Sequence, residues 1–193
     1  KGAWYAYLFR DYGAVGRIPY LVPVQWKDGW PQLGKDGKVP QTLDLPHNRS
    51  LAPGIVTSDE FNRKQGEKSL PLVWQWNHNP DPALWSVAKR NGFLRLTTGR
   101  IDTSFLMAKN TITQRTFGPV CAGSTMLDLT KMKDGDFAGL CLLQKNYGLL
   151  GVKVSSNSKS IVLMNASGGT PVQDEAIPLL QDSIYLKAEC DFR

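Results

Sequence analysis

Short extended segments separated by turn residues constrain the fold of this chain more than any other feature of its sequence. No segment of ten or more residues carries apolar side chains at helical spacing. The clearest extended segment is 184–191, where apolar and polar residues alternate as they do in a strand with one buried face. The pattern therefore predicts an all-β protein.

From residue 58 onward the short segments and the turns between them are typical of a β-sandwich. The predicted strands are 71–76, 84–88, 93–97, 112–117, 137–144, 149–155, 161–164 and 184–191. Turns are predicted at 134–135 and at 146–148.

The opening segment is predicted to belong to a domain other than the sandwich. It contains two aromatic strands, 4–9 and 19–26, and a turn at 27–29. Two strands cannot bury this much aromatic surface alone, because an isolated hairpin is marginally stable in water. We therefore interpret residues 1–35 as the end of a larger domain, 36–57 as a linker rich in glycine and proline, and 58–193 as the sandwich. The sequence ends at Arg193, directly after this last strand and without a closing turn, so we expect the sandwich to be truncated at its C-terminal end.

Composition excludes several classes of protein. No apolar run approaches the roughly 20 residues that a membrane helix needs. The formal charge is +6, from 23 basic and 17 acidic residues, but the basic residues are scattered singly or in pairs, as on an ordinary solvated surface. We expect neither a membrane nor a nucleic-acid partner, although a basic binder of single strands stays an alternative to test. Cys121, Cys141 and Cys190 are odd in number and lack metal-site spacing, which predicts buried thiols.

Aromatic and ionisable residues give few candidates for catalysis. Core packing is the simplest interpretation for most of the six tryptophans. The sequence contains no phosphate-binding loop, no Gly-x-Ser-x-Gly turn and no His-Glu-x-x-His helix. His47 and His78, the only histidines, are predicted to be structural. Acids that lie beside glycine, proline or turn residues are expected to stabilise turns through hydrogen bonds with the backbone. Asp59 and Glu60 could supply a structural calcium ligand, and no cofactor is otherwise expected.

Two sets of motifs together resemble one family. Residues 4–20 (WYAYLFRDYGAVGRIPY) and 23–31 (PVQWKDGWP) resemble the last strands of the catalytic domain of glycoside hydrolase family 43. Residues 72–81 (LVWQWNHNPD), with GFLRL at 92–96, TQRT at 113–116 and GDFAGL at 135–140, resemble the concanavalin A-like sandwich of family 43 β-xylosidases and α-L-arabinofuranosidases.

The resemblance implies that residues 1–35 end a five-bladed catalytic β-propeller and that the sandwich supports the rim of its active site. It implies inverting hydrolysis of β-xyloside or α-L-arabinofuranoside linkages in hemicellulose, with oligosaccharides derived from xylan or arabinoxylan as substrates. The general acid, the general base and a third acid would lie in propeller sequence before Lys1, so this chain carries no assigned catalytic residue. The expected location is extracellular or periplasmic, with the cytoplasm left open.

The resemblance also implies a substrate-binding role for Arg17, because its counterpart in the family reaches the sugar pocket. A guanidinium donates several hydrogen bonds and lowers the pKa of a nearby carboxylate. The alternative is an arginine that holds a blade loop through carbonyl groups. Trp74 and Trp76 are expected on one face of a strand, either packed in a core or domain interface or stacked on a xylan chain. The second alternative would make the protein a non-catalytic carbohydrate-binding module.

Overall fold

The computed structural model describes residues 2–13, 16–45 and 54–193. Their regular elements are β-strands and short 3-10 turns, and no α-helix occurs among them. The described chain is therefore all-β, as predicted. None of its helical turns is long and apolar enough to cross a membrane. The chain divides into two compact units: Lys1–Pro53 with Thr116–Pro119 and Phe192–Arg193, and Gly54–Arg115 with Val120–Asp191.

The first unit contains one antiparallel sheet. Its strands are β1 (Trp4–Asp11), β2 (Arg17–Lys27) and β3 (Trp30–Leu33), in the order β1-β2-β3. Asp28 and Gly29 connect β2 to β3 with φ angles of 52° and 79°, as a tight hairpin requires. The turn was predicted and the strand after it was not, because a proline in a four-residue segment argues against a strand except at a sheet edge.

The second unit is built on six long strands. These are β8 (Val120–Asp128), β9 (Phe137–Leu142), β10 (Gly148–Ser155), β11 (Ser158–Asn165), β12 (Val172–Leu179) and β13 (Ser183–Asp191). They form a four-stranded antiparallel sheet in the order β12-β11-β10-β9 and a separate antiparallel pair of β8 and β13. These antiparallel sheets agree with the predicted β-sandwich.

Between residues 71 and 117 the strands are only two residues long. They are β4 (Gln75–Trp76), β5 (Trp85–Ser86), β6 (Arg95–Leu96) and β7 (Ile112–Thr113), and β4 pairs with β7 while β5 pairs with β6. Pro82–Leu84 and Phe105–Met107 are 3-10 turns. The predicted strands in this region were therefore too long, and several of its backbone carbonyls accept from side chains instead of a neighbouring strand.

The core of the second unit lies against the four-stranded sheet. Val152 and Val162 are completely buried on β10 and β11, and Leu186 of β13 is 3% exposed. The alternation predicted for 184–191 is confirmed, since Tyr185 is 83% exposed beside it. Strands β8 and β12 were not predicted. The first is rich in small residues, and the second is an exposed edge strand that carries acids and Pro178.

Candidate functional site

Arg17 is the first residue of β2 and lies opposite Asp11 of β1. Its guanidinium carbon is 5.1 Å from the centre of the Phe9 ring, within the range of a cation–π contact. A guanidinium held by its flat face carries its N–H donors in the plane of the group. The structure thus places Arg17 on an exposed aromatic face, and its role in a sugar pocket stays a prediction.

Aromatic side chains are exposed on both faces of the three-stranded sheet. Trp4 and Trp26 lie on one face, where their rings meet edge to face with centres 6.0 Å apart. Tyr7 and Trp30 lie on the other face and are 75% and 76% exposed. Trp4, Trp26 and Trp30 are 62%, 56% and 76% exposed, so the described residues do not form a core around these three. A sheet that exposes large rings on both faces has the character of an interaction surface.

The second unit contains a buried ion pair close to its first residues. Arg63 donates to both carboxylate oxygens of Asp59, at 2.9 and 2.6 Å, and the two side chains are 9% and 7% exposed. Trp74 Nε1 donates to the same carboxylate at 3.0 Å, and the backbone N–H of Phe61 does so at 2.8 Å. The hydrogen bonds from Arg63, followed by those from Phe61 and Trp74, hold the pKa of Asp59 below its usual value. This network fixes the orientation of the Trp74 indole.

The backbone beside this ion pair is strained. Phe61 has a φ of 52°, in the left-handed region that residues other than glycine rarely adopt. Its ring packs on Trp74 with centres 5.7 Å apart, and the guanidinium of Arg63 lies over the same ring. Its carbonyl accepts a hydrogen bond from Gly92 N–H. These contacts hold Phe61 in place, and sequence reasoning did not identify them.

Trp76 has different surroundings from Trp74. It lies in β4, which Trp74 precedes, and its ring contacts Trp85 at 5.3 Å between centres. Trp85 Nε1 is buried without a hydrogen-bond partner among the described residues. The Trp85 ring lines an open cleft of about 540 Å³ together with Lys68, Pro82, Ala83, Ser86, Ala88 and Lys89. Sequence reasoning singled out Trp76 and missed Trp85, whose only signal was its place among the six tryptophans.

His78 and Asn77 hold a neighbouring loop. His78 Nε2 and Asn77 Nδ2 donate to the carbonyl of Leu106, at 2.7 and 3.0 Å. Phe105 beside it packs on Tyr147, with ring centres 5.1 Å apart. The structural role predicted for His78 is confirmed by these contacts, while His47 lies outside the described residues.

Several acids of the described chain serve turns and ion pairs. Asp11, Asp81 and Asp136 each accept from a backbone N–H two or three residues away, as predicted from their turn sequences. Asp134 instead accepts from the backbone N–H of Asn157, in a distant turn. The cleft at Trp85 and a shallower one beside Tyr147 contain no acid in their linings. Within the described ranges no three His, Cys, Asp or Glu residues are grouped to hold a metal. The calcium ligand at Asp59 and Glu60 stays a prediction without a ligand set, since both Asp59 oxygens already accept hydrogen bonds.

Comparison with known proteins places these features in context. Residues 58–193 match the family model described as the β-xylosidase C-terminal concanavalin A-like domain. A putative β-xylosidase of Xylanibacter ruminicola is 32% identical over 145 residues, covering 72% of this chain and 26% of that protein. A β-xylosidase of Formosa agariphila is 30% identical over 172 residues, covering 75% of this chain and 28% of that protein.

Solved structures extend the likeness to the first unit. A structure described as a bifunctional GH43-CE protein of Bacteroides eggerthii is 63% identical, with a TM-score of 0.92, and the match covers 99% of this chain and 25% of that one. A GH43 protein of Bacillus licheniformis is 26% identical with a TM-score of 0.76, over 98% of this chain and 38% of that one. The chain thus spans about a quarter of the length of the curated relatives it matches.

Proposed function

Since the chain belongs to glycoside hydrolase family 43 through its β-xylosidase C-terminal concanavalin A-like domain, we propose that it is the C-terminal part of a glycoside hydrolase. The enzyme would cleave β-xyloside or α-L-arabinofuranoside linkages in plant hemicellulose by inverting hydrolysis, outside the cell or in the periplasm. Oligosaccharides derived from xylan or arabinoxylan would be its substrates.

The aromatic sheet of the first unit is the observation that carries this proposal. Its large rings are exposed on both faces, and burial of such surface is a strong driving force for packing. The sheet would form the last strands of a catalytic five-bladed propeller, of which this chain holds only residues 1–35. The likeness to a GH43 protein over 99% of the chain supports this assignment.

The reactive acids would come from the rest of the propeller. An inverting enzyme needs a general acid and a general base about 6.5–9.5 Å apart, with space for water between them. Asp11, Asp81 and Asp136 are engaged in turns and Asp59 in an ion pair, and neither described cleft has an acid in its lining. The chain would therefore contribute binding and support rather than proton transfer.

Arg17 would bind substrate in this arrangement. Its guanidinium would donate to sugar oxygens and lower the pKa of a nearby carboxylate. The contact with Phe9 would limit the rotamers open to Arg17 and so reduce the entropy lost on binding.

The sandwich would support the rim of the active site. The hydrogen bond from Trp74 to Asp59 and the contact of Trp76 with Trp85 favour packing roles for both indoles over stacking on sugar. Titration with xylo-oligosaccharides, followed by tryptophan fluorescence, tests the stacking role. A saturable change that Trp76→Ala abolishes would favour stacking, and an unchanged spectrum would remove it.

The product of the longer enzyme tests the proposed chemistry. Proton NMR of an aryl β-xyloside or aryl α-L-arabinofuranoside digest, recorded before mutarotation, should show a first-formed sugar with inverted anomeric configuration. A first product with retained configuration would contradict the inverting mechanism, and failure to cleave either substrate would contradict the proposed activity.

A further inference from the structure

Two of the three cysteines are brought together by strand pairing. Cys121 is the second residue of β8 and Cys190 is the second-last residue of β13, and the antiparallel register places them directly opposite each other. Cys141 lies in β9 of the four-stranded sheet, where it pairs with Leu149 and not with another cysteine. The strand register therefore places two cysteines side by side and leaves the third apart from them. The spacing of the cysteines along the sequence did not predict this arrangement.

The pairing geometry suits a covalent bond. Residues directly opposite in antiparallel strands have Cα atoms about 4.5–5.5 Å apart and side chains on the same face. A disulfide usually joins Cα atoms about 4.4–6.8 Å apart. Both thiols are free and half-buried. Burial and a hydrogen bond with Cys121 raise the pKa of Cys190, which agrees with two thiols in contact.

We propose that Cys121 and Cys190 are a site of oxidative modification, at which a disulfide joins β8 to β13. The oxidant would be a low-molecular-weight disulfide or a protein dithiol–disulfide oxidase. One cysteine thiolate attacks a sulfur of the oxidant and expels a thiolate, leaving a mixed disulfide. The second cysteine thiolate then attacks the mixed disulfide and expels the other thiolate. The protein loses two protons and two electrons, and the oxidant leaves as two thiols.

The bond would hold β8 and β13 together near the end of their pairing. Beyond the two cysteines, Val120 pairs with Asp191 and Phe192 N–H donates to the Pro119 carbonyl. The chain re-enters the second unit at Val120 and leaves it at Asp191. The bond would also close a loop from residue 121 to residue 190. A long closed loop restricts the unfolded chain strongly, so the oxidised protein should be the more stable form.

Thiol mapping of the unmodified chain tests the proposal. Protein purified under reducing conditions is incubated with oxidised glutathione, unfolded in urea and treated with an alkylating reagent. The intact mass should be lower by the two hydrogens lost in the disulfide and higher by one alkyl group added to Cys141. Digestion should yield a peptide in which a disulfide joins Cys121 to Cys190. Burial raises the pKa of Cys141 to about 11, so this thiol should stay reduced. Alkylation of all three cysteines, or a lasting glutathione adduct on Cys121 or Cys190, would overturn the proposal.

Matched variants supply a second measurement. Cys141→Ser should keep the cross-link and the rise in midpoint temperature on oxidation, whereas Cys121→Ser should lose both. Equal midpoint temperatures for oxidised and reduced wild-type protein would overturn the stabilising role. The mapping needs no substitution, so a variant that fails to fold leaves it intact. Neither measurement requires enzymatic activity, so their outcome is independent of the proposed function.

Discussion

At the scale of single residues, the burial of charged side chains decides how much each ion pair contributes to stability. The Asp59–Arg63 pair is almost completely buried, whereas Lys187 and Glu189 form a pair that is mostly exposed. Removing one partner of a buried pair leaves the other as an uncompensated charge, which is more costly than losing an exposed pair.

Asp59→Asn should therefore destabilise the protein strongly. The variant loses the charge that balances Arg63 and weakens the hydrogen bonds from Trp74 and Phe61. We expect the free energy of unfolding in urea to fall by about 3 kcal/mol. The exposed control Glu189→Gln should change it by less than about 1 kcal/mol. Similar losses for both variants would show that the buried pair has no special role.

Protonation of Asp128 should account for part of the loss of folding stability at low pH. Hydrogen bonds from the side chain and backbone of Thr130, and then from Arg90, lower the pKa of Asp128 to about 2. A lowered carboxyl pKa contributes stability that is complete above the ordinary value, near 3.8, and is lost as the pH falls towards 2. The stability difference between wild type and Asp128→Asn should therefore shrink between about pH 4 and pH 2. Thermal unfolding across this range measures it, and a constant difference would refute the assignment.

Arg17 is the residue on which the proposed substrate contact depends. In the longer enzyme, Arg17→Ala should lower kcat/KM by roughly tenfold to a hundredfold, the usual loss for a charged hydrogen bond to a ligand. Arg10→Ala is the matched control, because Arg10 lies in the same sheet over the ring of Tyr12 and has no assigned contact with substrate. Steady-state kinetics on an aryl xyloside or arabinofuranoside measures the effect. Equal losses in the two variants would mean that Arg17 supports the fold rather than the sugar.

At the scale of elements, close backbone contact between β9 and β10 requires two glycines. Gly139 and Gly151 pair directly, and a Cβ atom at Gly139 would lie 2.2 Å from the carbonyl oxygen of Leu150. Backbone cannot move aside as the end of a flexible side chain can, so the strands would have to separate. The close packing of the two strands therefore explains why the second glycine of the GDFAGL motif, Gly139, has no side chain.

Gly139→Ala should destabilise the four-stranded sheet. We expect a loss of about 1–3 kcal/mol in the free energy of unfolding, as for other overpacked sites. Gly123→Ala in β8 is the control, since its Cβ would meet no atom within 4 Å, and it should leave stability almost unchanged. Denaturant unfolding of both variants measures the difference. A stable Gly139→Ala protein would mean that the two strands approach less closely than described.

The sequence predicted the elements whose residues alternate and missed those that depend on distant partners. The alternation of 184–191 predicted β13 because one of its faces is buried. Strand β12 is exposed on both faces and carries acids, so it had no apolar pattern to find. The contacts of Asp59, Trp74 and Phe61 depend on a left-handed backbone at residue 61, which no local preference of phenylalanine predicts. The Cys121–Cys190 pair depends on β8, which was itself missed.

At the scale of the whole molecule, a sandwich follows in sequence an aromatic sheet whose large rings are exposed on both faces. The described chain offers turns, ion pairs and aromatic surface, while the proposed reaction needs two carboxyl groups placed across a sugar. Those groups would lie in the larger protein whose C-terminal part this chain is proposed to be. The family resemblance depends on local motifs, which are read directly from the sequence, whereas side-chain contacts between distant segments such as Asp59 and Trp74 required the fold.

The most direct test compares turnover of aryl β-xylosides and aryl α-L-arabinofuranosides by the chain alone and by the longer encoded protein, at equal molar concentrations. We expect turnover by the longer protein and none by the chain alone, although circular dichroism should show that the chain is folded and rich in β-structure. Turnover by the folded chain alone would contradict the claim that the reactive acids lie elsewhere.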